Sequence, residues 1–263
     1  WAIAGIVGAD LWSIARKYWI FSPPAEQIFA ADAAMEVMKR DSTPGRVLPL
    51  WFEPFYPERE GIPYDRAFSG DHMMVHRLRS VGGYHGNELG RYQLLDPQRL
   101  GARALDPAYW RHANVHYWYT TFPDSLMAQL ASQAGWTVAP QKILGPITNR
   151  AGSSIYLYRV PGENPAAWVA SAIVKGTDDQ ALATVLDRRF EPTRVAIVDT
   201  NATVAVVGLD AVPQPTSARA TVTRFAPGSI NMRIDGPVTS GNALVVSENF
   251  FPGWRATVDG RTA

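Results

Sequence analysis

Beyond Pro213 and Pro215 the chain breaks into four short runs, residues 218–225, 229–235, 242–248 and 254–258, each set off by turn residues. Runs of that length, carrying Val, Ile, Thr and aromatic residues, restrict this end to antiparallel strands, as a sheet or as half of a β-sandwich. Asp259-Gly260 adds a hairpin signal, and its return strand is expected to lie past the end of the sequence. The preceding stretch has another rhythm. Residues 169–174 read as a strand, 178–188 as a helix and 195–199 as a strand, which is a β-α-β unit, in a parallel crossover or an α+β arrangement.

Upstream, residues 25–40 carry a helical stripe at Ile28, Ala31, Met35 and Met38, ended by Pro44-Gly45. A strand is expected over 46–51, a helix over 73–81, and a strand over 115–121. A helix from an N-cap at Ser125 closes at Gly135, and strands over 136–143 and 154–160 flank the turn Asn149-Arg-Ala-Gly152. Residues 53–70, rich in Pro, aromatic and charged residues without a period, read as a long loop. The expected class is α+β, a mixed α/β N-terminal part followed by a mainly antiparallel, β-sandwich-like C-terminal part. Its segments are a membrane-proximal piece 1–20, an α/β domain 21–163, a β-α-β unit 164–212 and an antiparallel β domain 213–263.

With 263 residues, 46% hydrophobic and 19% charged, the chain can bury a substantial core. A formal charge of +1 excludes neither partner class, but no Lys/Arg run points to nucleic acid, which is not an expected partner. Zero cysteines exclude disulfides, thiolate catalysis and Cys-ligated metals, and leave an extracytoplasmic location open. Trp1–Ala9 is apolar and uncharged, but a spanning helix needs roughly 20 such residues. It reads as the end of a membrane helix cut by the start of the sequence, or as an ordinary buried element.

Two histidine pairs have the spacing of metal ligands, His72-Met-Met-Val-His76 and His112-Ala-Asn-Val-His116. Neither has Glu after its first His, so the general base of a zinc protease is missing. His116 falls in an expected strand, where four residues span about 13 Å, too far for one metal. No metal, cofactor or catalytic constellation is therefore expected.

Gly82-Gly83, Gly86 and Gly90 punctuate a loop without the Lys-Ser/Thr of a P-loop. The loop holds Tyr84, His85, Glu88, Arg91 and Tyr92, residue types that grip sugars or phosphates through aromatic faces and charge-assisted bonds. These five are the candidate ligand-binding residues. The same loop also reads as architecture, with glycines serving backbone turns and Arg91 bridging a buried carboxylate. Glu53, Glu58, Glu60, Asp65 and Asp71 offer paired carboxylates for glycoside hydrolysis, or a solvated loop. Trp51, Phe52, Phe55, Tyr56 and Tyr64 could stack on sugar rings, dip into a membrane interface or cap the core.

Several phrases point to one family. The run Leu244-Val-Val-Ser-Glu-Asn-Phe-Phe-Pro-Gly-Trp-Arg-Ala-Thr-Val-Asp-Gly260 resembles the "lvlSe.yyPGWra.vDG" signature of the YfhO-like family, polytopic bacterial membrane proteins of the GT-C glycosyltransferase class. Residues 82–92 resemble its "GYHgaeL.RYq" segment, and Ala113-Asn-Val-His-Tyr-Trp-Tyr-Thr-Thr121 its "LNVRYvvt" strand, with His116 where the family usually has Arg. Ala166-Ala-Trp-Val-Ala170 and Phe190-Glu-Pro192 are similar to "pRa.lV" and "FdP", with Ala167 in place of Arg.

The resemblance runs from about Asp10 to the end, and it implies the extracytoplasmic domain of an integral membrane glycosyltransferase on the outer face of a bacterial cell membrane. Its implied partners are the membrane, a polyprenyl-phosphate sugar and an envelope glycopolymer or lipid. The acidic residues essential to that class lie in loops between membrane helices outside this chain, so the fragment is expected to position acceptor or support the membrane part. A non-catalytic carbohydrate-binding module and a free-standing hydrolase are the alternatives.

Overall fold

The computed structural model describes residues 1–18, 24–43, 45–50, 66–68, 71–82, 90–95, 101–204, 206, 208 and 210–263. Two units separate, Trp1–Ala30 and Ala31–Ala263. The first holds α1 (Ala2–Ala15), a short 3-10 turn at Arg16–Tyr18 and α2 (Ala25–Ile28). The second begins with α3 (Ala33–Lys39), β1 (Arg46–Leu50), α4 (Asp71–Val75), β2 (Arg79–Ser80), α5 (Gly90–Gln93), α6 (Pro107–His112) and β3 (Val115–Thr120). It continues through α7 (Asp124–Ala134), β4 (Gln141–Thr148), β5 (Ser154–Arg159), β6 (Ala167–Ala170), β7 (Ala172–Gly176), α8 (Asp178–Val185) and β8 (Val195–Asp199). The remaining strands are β9 (Arg219–Ala226), β10 (Ser229–Asp235), β11 (Ala243–Val246), β12 (Thr257–Val258) and β13 (Arg261–Thr262). The fold is α+β.

The central sheet runs β2-β1-β3-β5-β4, with β2, β1 and β3 parallel, β5 antiparallel to β3, and β4 antiparallel to β5. Every residue of β3 is buried, as a strand covered on both faces must be. Period-two alternation sorts its side chains. Tyr117 and Tyr119 join Val47, Ile155 and Leu157 under α3 and α4, while Trp118 joins Leu48, Leu50 and Tyr158 under α6 and α7. On the second face Trp110, Trp118 and Trp136 stand edge to face, with centroids 5.1–5.6 Å apart.

The β-α-β unit forms with other bounds: the strand expected over 169–174 divides between β6 and β7, and β7 pairs in parallel with β8 in the register Ala172↔Val195 to Gly176↔Asp199. Thr177 and Gln180 close a capping box at the start of the intervening α8. The turn at Asn149–Gly152 joins β4 to β5, with Gly152 N–H donating to the Asn149 carbonyl at 2.9 Å.

Several local readings change. The stripe over 25–40 splits into α2 and α3, because the Asp32 carboxylate accepts from Met35 N–H at 2.8 Å and caps a new helix start. The helix expected over 73–81 ends at Val75, and its tail becomes β2. Helix α7 starts at Asp124, ahead of Ser125, and closes as expected at Gly135 with φ +62°. Beyond it Trp136 is drawn into the tryptophan cluster, its Nε1–H donating to the Leu105 carbonyl at 2.8 Å, so β4 starts only at Gln141.

The last four runs do not form one sheet. β9 pairs with β10, β11 pairs with the distant β6, and β12 pairs with β13 around Asp259 and Gly260 at φ +50° and +79°. The return strand of that hairpin is therefore within the sequence, as Arg261–Thr262.

Candidate functional site

Three polar assemblies emerge in the larger unit. The first surrounds Glu248, in the Ser247-Glu248 pair that follows β11. Its Oε2 lies 2.6 Å from Arg79 Nη2 and its Oε1 3.1 Å from Arg46 Nη2. Arg46 also donates to the carbonyls of Ala113 (2.9 Å) and Ser247 (2.7 Å), and to Ser247 Oγ at 3.0 Å. Ser247 Oγ in turn donates to the His112 carbonyl at 2.6 Å. The guanidinium of Arg79 lies 4.2 Å from the Phe225 ring centroid. Burial first, and then the neighbouring charge of Arg46, bring the Arg79 pKa down to about 10, with Glu248 opposing.

Behind it lies a buried amide and imidazole group. Asn114, at φ +54°, donates through Nδ2 to the Asn164 carbonyl at 2.6 Å, and Asn164 Nδ2 donates to the Val115 carbonyl at 2.8 Å. His116 Nε2 lies 3.1 Å from the same Asn164 carbonyl, so its Nε2–H tautomer donates there. Burial holds its pKa below the ordinary value. Gly45 makes this approach possible, because a Cβ there would sit 2.3 Å from His116 Cγ.

The second assembly is Asp41, Tyr117 and Arg159. The Tyr117 hydroxyl donates to Asp41 Oδ2 at 2.5 Å, and Arg159 Nη1 donates to that oxygen and to the Tyr117 oxygen, both at 2.7 Å. Burial raises the Asp41 pKa, but these donors and the Thr43 N–H at 2.9 Å outweigh it, leaving the carboxyl well below its usual range. Burial and the Asp41 bond push the Tyr117 phenol up to about 12.

The third contains Arg91. Its Nε lies 3.0 Å from Asp178 Oδ2, at the start of α8, and its Nη2 lies 2.6 Å from Asp199 Oδ2, at the end of β8. These groups are open to solvent, with side chains 69%, 52% and 35% exposed, so the bridge is not to a buried carboxylate. Tyr92 donates its hydroxyl to the Val81 carbonyl at 2.9 Å. Tyr84, His85 and Glu88 lie outside the described residues, as do Glu53, Glu58, Glu60, Asp65 and the aromatic residues from Trp51 to Tyr64.

The histidine pairs part company. His72 and His76 bring their ring centroids to 5.2 Å on and just past α4, whereas His112 ends α6 and His116 sits in β3. His112 packs against Phe190 at 5.8 Å and Trp168 at 6.1 Å, and burial lowers its pKa to about 4. Among the described residues no three of His, Asp and Glu gather as metal ligands. Ala167 is buried in β6 opposite Val246.

Arg46, Arg79, Asp41 and Arg159 carry most of this polar chemistry, yet sequence spacing does not single them out. Comparison with known proteins finds no matching family model, no matching curated protein and no matching solved structure.

Proposed function

We propose that this chain is the extracytoplasmic domain of a YfhO-like integral membrane glycosyltransferase acting on a cell-envelope polymer or lipid, where it positions acceptor or supports the membrane part. Helix α1 carries the reading. Its one charged residue is Asp10, its apolar side chains lie on every side, and none is buried. Ile3, Ile6, Val7, Leu11, Trp12 and Ile14 are 49–79% exposed. A helix apolar all round calls for an apolar surrounding, and lipid supplies one. At 14 residues α1 is short of a span, and no helix among the described residues is long and apolar enough to cross a membrane. The signature residues Ser247 and Glu248 support a scaffolding role, since their bonds tie the C-terminal segment to β1, β2 and α6.

The test uses the product of the complete reading frame. It is expected to stay with membranes through an alkaline wash and to transfer sugar from a polyprenyl-phosphate donor. Recovery in the soluble fraction would overturn the reading. So would sugar turnover by the 263-residue chain alone, lost on Glu53→Ala, Glu58→Ala or Asp65→Ala.

A further inference from the structure

A cleft of about 350 Å³ opens beside the Asp41 and Arg79 assemblies, between the end of α3, the α4–β2 connection, β3 and β9. Lys39, Asp41, His76, Arg77, Arg79 and Tyr117 line it, with Ser42, Thr43 and Phe225 at its walls. Counting these residues and the ion pairs they belong to, five cations (Lys39, Arg46, Arg77, Arg79, Arg159) face three carboxylates (Glu36, Asp41, Glu248). Two positive charges are left in excess. The carboxylates are committed, since Glu248 serves two arginines, Asp41 serves Tyr117 and Arg159, and Glu36 accepts from the exposed Lys39.

Arg77 is the unspent cation. No described residue pairs with it, and its backbone sits at φ +59°. Leu78 N–H donates to the Met73 carbonyl at 3.0 Å and Arg77 N–H to the Met74 carbonyl at 2.9 Å. That is the Schellman closure of α4, and Arg77 occupies its left-handed position, where Gly is the favoured residue. A long charged side chain thus stands at a site that backbone energetics would give to Gly, which points to a role of the side chain. Next to it the Nε2 of His76 is enclosed without a hydrogen-bond partner.

We infer that this cleft binds a small phosphate ester, with Arg77 and Lys39 on the phosphate and the hydroxyls of Ser42 and Thr43 beside them. Guanidinium and ammonium groups converging on a concave, solvent-accessible site are the chemistry that selects phosphate. The volume, near the lower end for ligand pockets, suits a glycerol phosphate or a single sugar phosphate. The source is either a soluble ester or a lipid headgroup. This binding does not depend on the membrane assignment proposed above.

The test titrates the 263-residue chain with inorganic phosphate, sn-glycerol 3-phosphate and glucose 1-phosphate, and with phosphatidylglycerol vesicles. Saturable binding of an ester is expected, weakened about ten- to a hundredfold by Arg77→Gly and by Lys39→Gln. Arg77→Gly should not lower the melting temperature, because Gly fits the left-handed position, so lost binding cannot be ascribed to unfolding. The His76 imidazole gives a second readout. Its pKa is lowered by burial and by Lys39, with Asp32 and Glu36 opposing, and a bound anion should raise it in NMR titrations. Equal affinity for inorganic phosphate assigns recognition to the phosphate group, and vesicle binding lost on Arg77→Gly assigns it to a headgroup. Absence of saturable binding to any of these probes overturns the inference, as does wild-type affinity in both variants.

Discussion

Arg79 and Glu248 meet at 2.6 Å although 169 residues separate them in sequence. The contact fastens the C-terminal segment to the edge of the central sheet, and Arg46 takes the other carboxylate oxygen. The side chains of Arg46 and Arg79 are only 11% and 19% exposed.

Glu248→Ala leaves two largely covered guanidiniums without a counter-charge. Removing one partner of a buried pair is far more harmful than the pair itself is stabilising, so a loss of about 2–4 kcal/mol is expected, seen as a lower urea midpoint. Glu248→Gln, which keeps the hydrogen-bond acceptor, should lose less. An unchanged midpoint in Glu248→Ala would show that the C-terminal segment is held by other contacts.

Arg91→Ala should behave differently. Its partners Asp178 and Asp199 are half-exposed, and such pairs are weakened by solvent and salt. A melting temperature close to wild type, and a difference that vanishes at high salt, are expected. A drop as large as that of Glu248→Ala would mean that Arg91 braces the β-α-β unit.

Stability should fall on mild acidification. Burial first, then Arg111, lower the His112 pKa to about 4, and His116 and His76 shift the same way. A depressed folded-state pKa means that the unfolded chain binds protons first. Stability is therefore full above the unfolded value near 6.5 and falls toward pH 4. His112→Gln should flatten that slope in denaturation curves taken across the window, and an unaltered slope would remove His112 from the account.

Gly45→Ala should destabilise through one contact. The new methyl would lie 2.3 Å from His116 Cγ and Nδ1, so the ring must leave its bond to the Asn164 carbonyl. A cost of about 1–3 kcal/mol in thermal or urea unfolding is expected. The double variant Gly45→Ala/His116→Ala should recover part of it, and strict additivity of the two changes would count against the clash.

Much of the fold is written in short windows of the chain. The alternation in β3 and β5, the strand-helix-strand rhythm over 169–199, and the turns at Asn149–Gly152 and Asp259-Gly260 are local matters. Side-chain period and turn chemistry act over a few residues, so these can be read directly. Asp32 is a good N-cap residue inside the apolar stripe over 25–40, and the stripe's continuity outweighs that single signal in a local window.

Pairing was another matter. The last four runs alternate like strands of one sheet, yet β11 joins β6, because a strand's period records which face is apolar and nothing of which neighbour it meets. Trp136 has strand character and is claimed by two tryptophans from elsewhere. The site residues show the same division. Arg91 stood out in sequence beside glycines and aromatics, while its pairing with Asp178 and Asp199 came from packing. Nothing in the sequence spacing of Arg46, Arg77, Arg79, Asp41 and Arg159 marks them out. Sequence by itself determined the local elements and their apolar faces. Tertiary structure decided which charges are covered and by whom, because burial and Coulombic pairing depend on distances between segments far apart in the chain.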